Sequence, residues 1–189
     1  MIDARPMKAA SWFYLLIVGA FPCFAHARLG DTERRCVERY GSALPDKKQL
    51  VAQPDLIPGL PHATYHYQGW NIRVVFAGGI VIAEEYQKKL PHPSGQNIKT
   101  DERTAILEAE SAGNTWSQTL THPLQSSQPS SIIANAFMGG QHWMRSDGAY
   151  ATLTPVGLSL VLYSKEGLEA ARQAASAKEQ KRKGSVPQF

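Results

Sequence analysis

Two adjacent glutamates, Glu84 and Glu85, close an otherwise apolar stretch, VVFAGGIVIAEEY, from Val74 to Tyr86. Carboxyl pairs in dry surroundings are where enzymes separate the pKa values of an acid and a base, so this pair is the first place to look for chemistry. Adjacent residues of a strand point to opposite faces. If the stretch is a strand, Glu84 and Glu85 cannot address one substrate together. Glu84 is then expected on an open sheet face as a single charge beside Arg73 and Tyr86, not as half of a dyad.

The other reactive side chains offer less. A serine hydrolase elbow G-x-S-x-G is absent, and Cys36 falls in the middle of a short helix with no His near it in sequence. Cys36 shares one side of that helix with Val37 and Tyr40, the pattern of a buried thiol acting as a small hydrophobe. Of six histidines, His62 and His66 flank a strand start, His92 and His122 precede prolines, and His142 stands alone. None of these spacings is that of a metal site, so no metal and no cofactor is expected. Gly78-Gly79 and Gly139-Gly140 fit turns better than phosphate loops, since neither opens a helix after a parallel strand.

The elements that must position these residues come in two similar runs. Asp31 or Thr32 caps a helix ending at Gly41, and strands follow at about 64–68, 70–77 and 80–86, with Gly78-Gly79 as a turn. A second helix, capped by Thr100 or Asp101 and ended by Gly113, carries Ala105, Ile106 and Ala109 on its apolar side. Three short strands then lie within 141–164, turning at Ser146-Asp147-Gly148 and Pro155-Val156-Gly157. Laid together, Ile72, Val74, Phe76, Val81 and Ala83 fall on Ala149, Ala151, Leu153, Leu158 and Leu160, all apolar. The expected fold is α+β: two tandem helix–β-meander units, about 28–90 and 98–163, with the helices on one face of an antiparallel sheet.

Opposite that core parity, the reading places Tyr67, Arg73, Glu84 and Tyr86 in the first unit, and Trp143, Arg145, Tyr150, Thr152 and Tyr163 in the second. Aromatics and arginine are enriched at interface centres, which makes Tyr67, Arg73, Glu84, Tyr86, Trp143, Arg145, Tyr150 and Tyr163 a candidate protein-binding face. Cross-strand pairing alone also accounts for strand aromatics.

The tandem of helix and antiparallel meander resembles the architecture of the beta-lactamase inhibitor proteins and the SmpA/OmlA-type outer-membrane assembly lipoproteins. LGDTERRCVERYGSALP is similar to their capped helix ending in glycine and proline, and LEAESAGNTW and HWMRSDGAYA resemble segments of a group of uncharacterised exported bacterial proteins. The chain departs from these groups in having no lipidation cysteine in context and no disulfide bracing. The resemblance implies an exported binding or assembly role and carries no active-site residue over.

The amino-terminal stretch MKAASWFYLLIVGAFPCFAHA has the charged, apolar and small-residue layout of a signal peptide, with cleavage expected after Ala27 and Met7 as an alternative start. Export to the periplasm or beyond follows. From Arg28 onward the chain holds 18 Lys and Arg against 15 Asp and Glu, with six of those bases and three of those acids between Lys165 and Lys183. The body is therefore neutral and no nucleic-acid surface is expected. The basic charge belongs to a helical or disordered tail, 164–189, in which Leu168, Ala171 and Ala175 form a thin apolar stripe. Lys181, Arg182 and Lys183 are its candidate contacts with an anionic membrane or cell-wall polymer.

The sequence thus points to a non-catalytic module that binds an envelope protein or serves envelope assembly. The competing classes are a small hydrolase working in the cleft between the units, and adhesion through the tail.

Overall fold

The computed structural model describes residues 28–45, 55–92, 95–120 and 140–184. The expected signal peptide 1–27, the loop Gln125–Ser131, Gly139, His122 and the last five residues of the tail lie outside the described residues.

Helix α1 (Glu33–Tyr40) starts at Thr32, whose hydroxyl accepts the Arg35 N–H, and ends at Gly41, which donates to the Val37 carbonyl at 2.9 Å. Strands β1 (His62–Tyr67), β2 (Trp70–Ala77) and β3 (Ile80–Lys88) form a meander. Gly78 and Gly79 both take positive φ, 57° and 77°, as a two-residue turn matching the twist of its strands requires. Helix α2 (Thr100–Ala109) begins after Lys99, whose N–H is held by the Glu102 carboxylate at 2.7 Å. A strand not foreseen from the sequence, β4 (Trp116–Thr119), follows. Strands β5 (Gln141–Arg145), β6 (Tyr150–Leu153) and β7 (Ser159–Tyr163) make a second meander. Helix α3 (Lys165–Gly184) leaves β7 at once, its first turn capped by Ser164 Oγ, which accepts the Gly167 N–H at 3.0 Å.

All seven strands join in one antiparallel sheet, ordered β1-β2-β3-β7-β6-β5-β4, so the protein is α+β. Helices α1 and α2 cover one face, over a core that includes Ile72, Val74, Val81, Tyr86, Leu160 and Leu162. The two unit helices share one face as expected, and the correction concerns the tail, because α3 packs on the other. Leu168 and Ala171 join Val75, Ile82, Ala83, Val161 and Tyr163 there, with Ile57 from the segment before β1. The thin stripe read as a solvated tail is thus a core contact in its first half, whereas Ala175 is exposed. Gly167 makes the contact possible, since a Cβ there would lie 2.0 Å from the Ile82 carbonyl oxygen. Among the described residues no helix is long and apolar enough to cross a membrane.

One backbone irregularity decides which side chains face which layer. Val75 pairs with Ala83, but Phe76 pairs with Val81, which leaves Ile82 as an extra residue in β3. Such a bulge inverts the alternation beyond it. Ile82 and Ala83 both join the α3 layer, and Glu84 and Tyr86 fall on the same face as Val81.

Candidate functional site

The bulge carries Glu84 away from the open face expected for it and into the layer between the sheet and α1. Glu84 is fully buried there, and so is Glu110 at the carboxy-terminal end of α2. Tyr86, 1 % exposed, stands between them, its hydroxyl oxygen 2.8 Å from Glu84 Oε2 and 3.2 Å from Glu110 Oε1. The second Glu110 oxygen accepts the backbone N–H of Leu29 at 3.1 Å. Arg145 donates to the Glu110 backbone carbonyl and grips Asp147 through Nε and Nη2 at 2.8 and 2.7 Å.

A tyrosine hydroxyl has one proton to give, and an ionised carboxylate can only accept. Both contacts of Tyr86 become hydrogen bonds only if one of the two acids is itself protonated and donates to the phenol oxygen. Glu110 is the better seat for the negative charge. Burial raises its pKa to about 7, against the Leu29 and Tyr86 hydrogen bonds and the charges of Arg145 and Arg28. Glu84 lacks that support, and its Oε1 meets no hydrogen-bond partner among the described residues. Burial, then the Glu110 charge, drives its pKa well above the usual carboxylate range. Above pH 7 the chain of bonds therefore runs from the Glu84 acid to the Tyr86 oxygen, and from the Tyr86 O–H to the Glu110 carboxylate. Burial also pushes the nearby Cys36 thiol up to about 12, with Glu84 the next cause. The thiol is a packed, protonated group at ordinary pH.

Glu85 points to the opposite face, where it pairs with Arg73 at 2.6 Å. The two adjacent glutamates are therefore separated by the sheet, as strand geometry requires, while the acid that does face Glu84 comes from α2. Glu110 lies one helical turn beyond the buried Ile106, and that i, i+4 relation is the sequence signal that marks it. The exposed Ala105 took its place in the expected apolar side.

The eight residues of the candidate binding face are not brought together. Tyr67, Glu84, Tyr86 and Trp143 lie in the α1/α2 layer, together with Arg145, whose guanidinium sits 5.4 Å above the Trp116 ring. Arg73, Tyr150 and Tyr163 lie in the α3 layer. Two causes produce the split. The bulge moves Glu84 and Tyr86, and the β5–β6 register pairs Trp143 with Ala151, which places Trp143 with the core alanine rather than opposite it. Tyr150 packs 6.5 Å from Tyr163, ring to ring, and its hydroxyl is 2.8 Å from His142 Nδ1. Of the tail contacts, Lys181 is exposed on α3, and Arg182 and Lys183 continue the same helix.

Open concavities among the described residues include three that bear on the site. A cleft of about 410 Å³ lies among Leu29, Ile80, Ile82, Arg145, Asp147 and Ser164. It joins both halves of the chain, but its serine caps α3 and its arginine is committed to Asp147 and Glu110. A groove of about 640 Å³ runs along α3 past Met144 and Arg172. The third, about 390 Å³, lies between α2 and β4 and is lined by Arg103, Leu107, Ser111, Trp116 and Trp143. Arg103 stacks 5.0 Å over the Trp143 ring and donates to Gln141 Oε1. No group of three or more His, Cys, Asp or Glu among the described residues is placed to hold a metal ion.

The chain matches no protein-family model, and comparison with curated proteins and with solved structures returns no match.

Proposed function

We propose that the chain is an exported, non-catalytic binding module, built of two helix–meander units that meet at β3 and β7, which receives an extended segment of an envelope protein along β4. The observation that carries this reading is that helices cover both sheet faces while the sheet ends at β4 among the described residues. At the other end, the Leu44 N–H already donates to the Thr64 carbonyl of β1 at 2.7 Å. An edge strand presents unpaired backbone donors and acceptors to which a peptide can add as a further strand. The groove between β4 and α2, floored by two tryptophans, lies beside that edge to take alternate side chains.

The ladder shows which backbone groups are available. Ser146 N–H donates to the Thr115 carbonyl at 3.0 Å, and Trp116 pairs with Arg145. Antiparallel alternation then turns the N–H groups of Trp116 and Gln118 away from β5. Gln118→Pro removes one outward donor and leaves the β4–β5 bonds in place. In cross-linking capture from an envelope fraction, Gln118→Pro is expected to lose the partners that wild type retains, with Tm little changed. Unchanged capture by a folded Gln118→Pro protein refutes the edge as the binding site. Turnover of a small substrate that survives the substitution points instead to an enzyme in the cleft.

A further inference from the structure

The buried acid cluster has no part in the proposed binding edge, and its geometry carries a separate inference. The amino-terminal strap, Arg28 to Thr32, crosses from α2 to the start of β3. Leu29 N–H donates to Glu110, Gly30 N–H to the Val81 carbonyl at 2.8 Å, and Val81 N–H to the Asp31 carbonyl at 2.8 Å. The strap leads directly into α1, which lays Cys36 and Tyr40 into the layer above the acids. We propose that Glu84, Tyr86 and Glu110 form a pH-sensitive latch: a single proton shared by the pair keeps the strap and α1 seated, and its loss releases them from the sheet.

The physical reason lies in the hydrogen count. With one proton, every contact of the Tyr86 hydroxyl is a donor–acceptor pair. Without it, two buried carboxylates compete for one hydroxyl proton, and Glu84 Oε1 already lacks a partner. Buried, unpaired charges are costly and are relieved by water.

The charged and titratable surroundings come from every element packed on the pair. Tyr86 belongs to β3, and Cys36, Arg39 and Tyr40 belong to α1. Asp31 and Arg28 come from the strap, and Arg145 comes from β5. Of the cations, Arg39 is held by Asp31 at 2.5 Å and Arg145 by Asp147, so neither is at liberty to neutralise a second carboxylate. The sheet cannot open to admit water, because β3 is bonded on both sides, to β2 and β7. The strap hangs on a few backbone bonds, and it is the part that can yield.

Hydrogen exchange on the full chain tests the latch. Above pH 7, where burial still keeps Glu84 protonated, opening that releases one proton becomes about tenfold more favourable per pH unit. Protection of the Leu29, Gly30 and Val81 amides, corrected for the intrinsic pH dependence of exchange, should fall by about that factor per unit between pH 7 and 9. Glu84→Gln keeps a donor toward Tyr86 and cannot ionise, so its protection should be flat across that range. Native reaction of Cys36 with a thiol reagent should accelerate in parallel in wild type alone. Wild-type protection that follows the intrinsic slope overturns the proposal, as does a Glu84→Gln protein with the wild-type dependence. Should Glu84→Gln fail to fold, the wild type alone decides: an equal pH-dependent fall in protection at the Leu160 and Leu162 amides of β7, which the latch leaves in place, overturns the proposal.

Discussion

Gly167→Ala tests whether α3 belongs to the fold, because general helix propensity and the local geometry demand opposite signs. Replacing a helical glycine by alanine ordinarily stabilises, by up to about 1 kcal/mol. Here the new Cβ would stand 2.0 Å from the Ile82 carbonyl oxygen and 2.9 Å from its carbonyl carbon. The obstacle is backbone in the central strand β3, and it cannot rotate aside as a side chain would. The helix must therefore withdraw by more than an ångström. Withdrawal loosens Leu168 and Ala171, now 5 % and 8 % exposed, and lengthens the bond from the Ser164 N–H to the Ile82 carbonyl, 2.9 Å in the wild type.

Forced overpacking of this kind costs about 1–3 kcal/mol, and exposing a leucine adds to it at about 25 cal/mol per Å². The net expectation is destabilisation by about 2 kcal/mol. For a chain of this size that is a Tm lower by roughly 4–8 °C, or a urea midpoint lower by about 1 M at an unchanged slope. Limited proteolysis should show earlier cleavage after Lys165 and Arg172. A Gly167→Ala protein as stable as wild type, or more stable, means that α3 does not approach β3 as described.

Three further expectations follow from the same contacts. Because burial holds the Glu110 pKa at about 7 rather than 4.5, the folded state binds its proton more tightly than the unfolded chain. Its contribution is complete below pH 4.5 and is lost as pH rises through 7, in total about 3 kcal/mol; urea titrations of Glu110→Gln between pH 4.5 and 8 should lack that loss. Cys36, fully buried with its thiol pushed up to about 12, should resist iodoacetamide at pH 7, where the proposed latch is closed, and react once unfolded; rapid native labelling at pH 7 contradicts the packing. If the basic end of α3 contacts anionic lipid or polymer, Lys178→Glu with Lys181→Glu should abolish salt-sensitive sedimentation with anionic vesicles and leave Tm unchanged, since both lysines are exposed. Deleting the chain from Lys165 cannot serve for that purpose, because it also removes Leu168 and Ala171 from the core.

Local chemistry was legible where a short-range rule governs it. The helix cap expected at Asp31 or Thr32 falls on Thr32, and the Gly41 stop and the Gly78-Gly79 turn stand as expected; each depends on a few neighbouring residues. Core parity in the second meander was legible for Ala149, Ala151, Leu153 and Leu160, all in one layer, but not for Leu158, which is only half-buried, nor for Trp143, which joins that layer instead of facing away from it. What failed depended on a count across distance. A single extra residue at Ile82 reverses the β3 side chains from Ala83 onward, and nothing in VVFAGGIVIAEEY announces a bulge, because Ile82 and Ala83 are apolar and suit either layer. Strand β4 carries little sequence signal because WSQT is short and mostly polar, and its one described partner is β5.

The same reversal gives Glu84 a different set of neighbours. On an open face, Glu84 would be an ordinary solvated charge whose neighbours Arg73 and Tyr86 are there to meet a partner. Moved by the bulge to the covered face, it loses water and Arg73 together and gains Glu110, from a helix that sequence adjacency gives no reason to consider. The acid pair suggested by two neighbouring letters does exist, but across 26 residues, with a tyrosine hydroxyl standing between them. Among the described residues, none of the three concavities is lined by Glu84, Tyr86 or Glu110. In the proposed latch their proton acts on the structure that encloses it, the strap and α1.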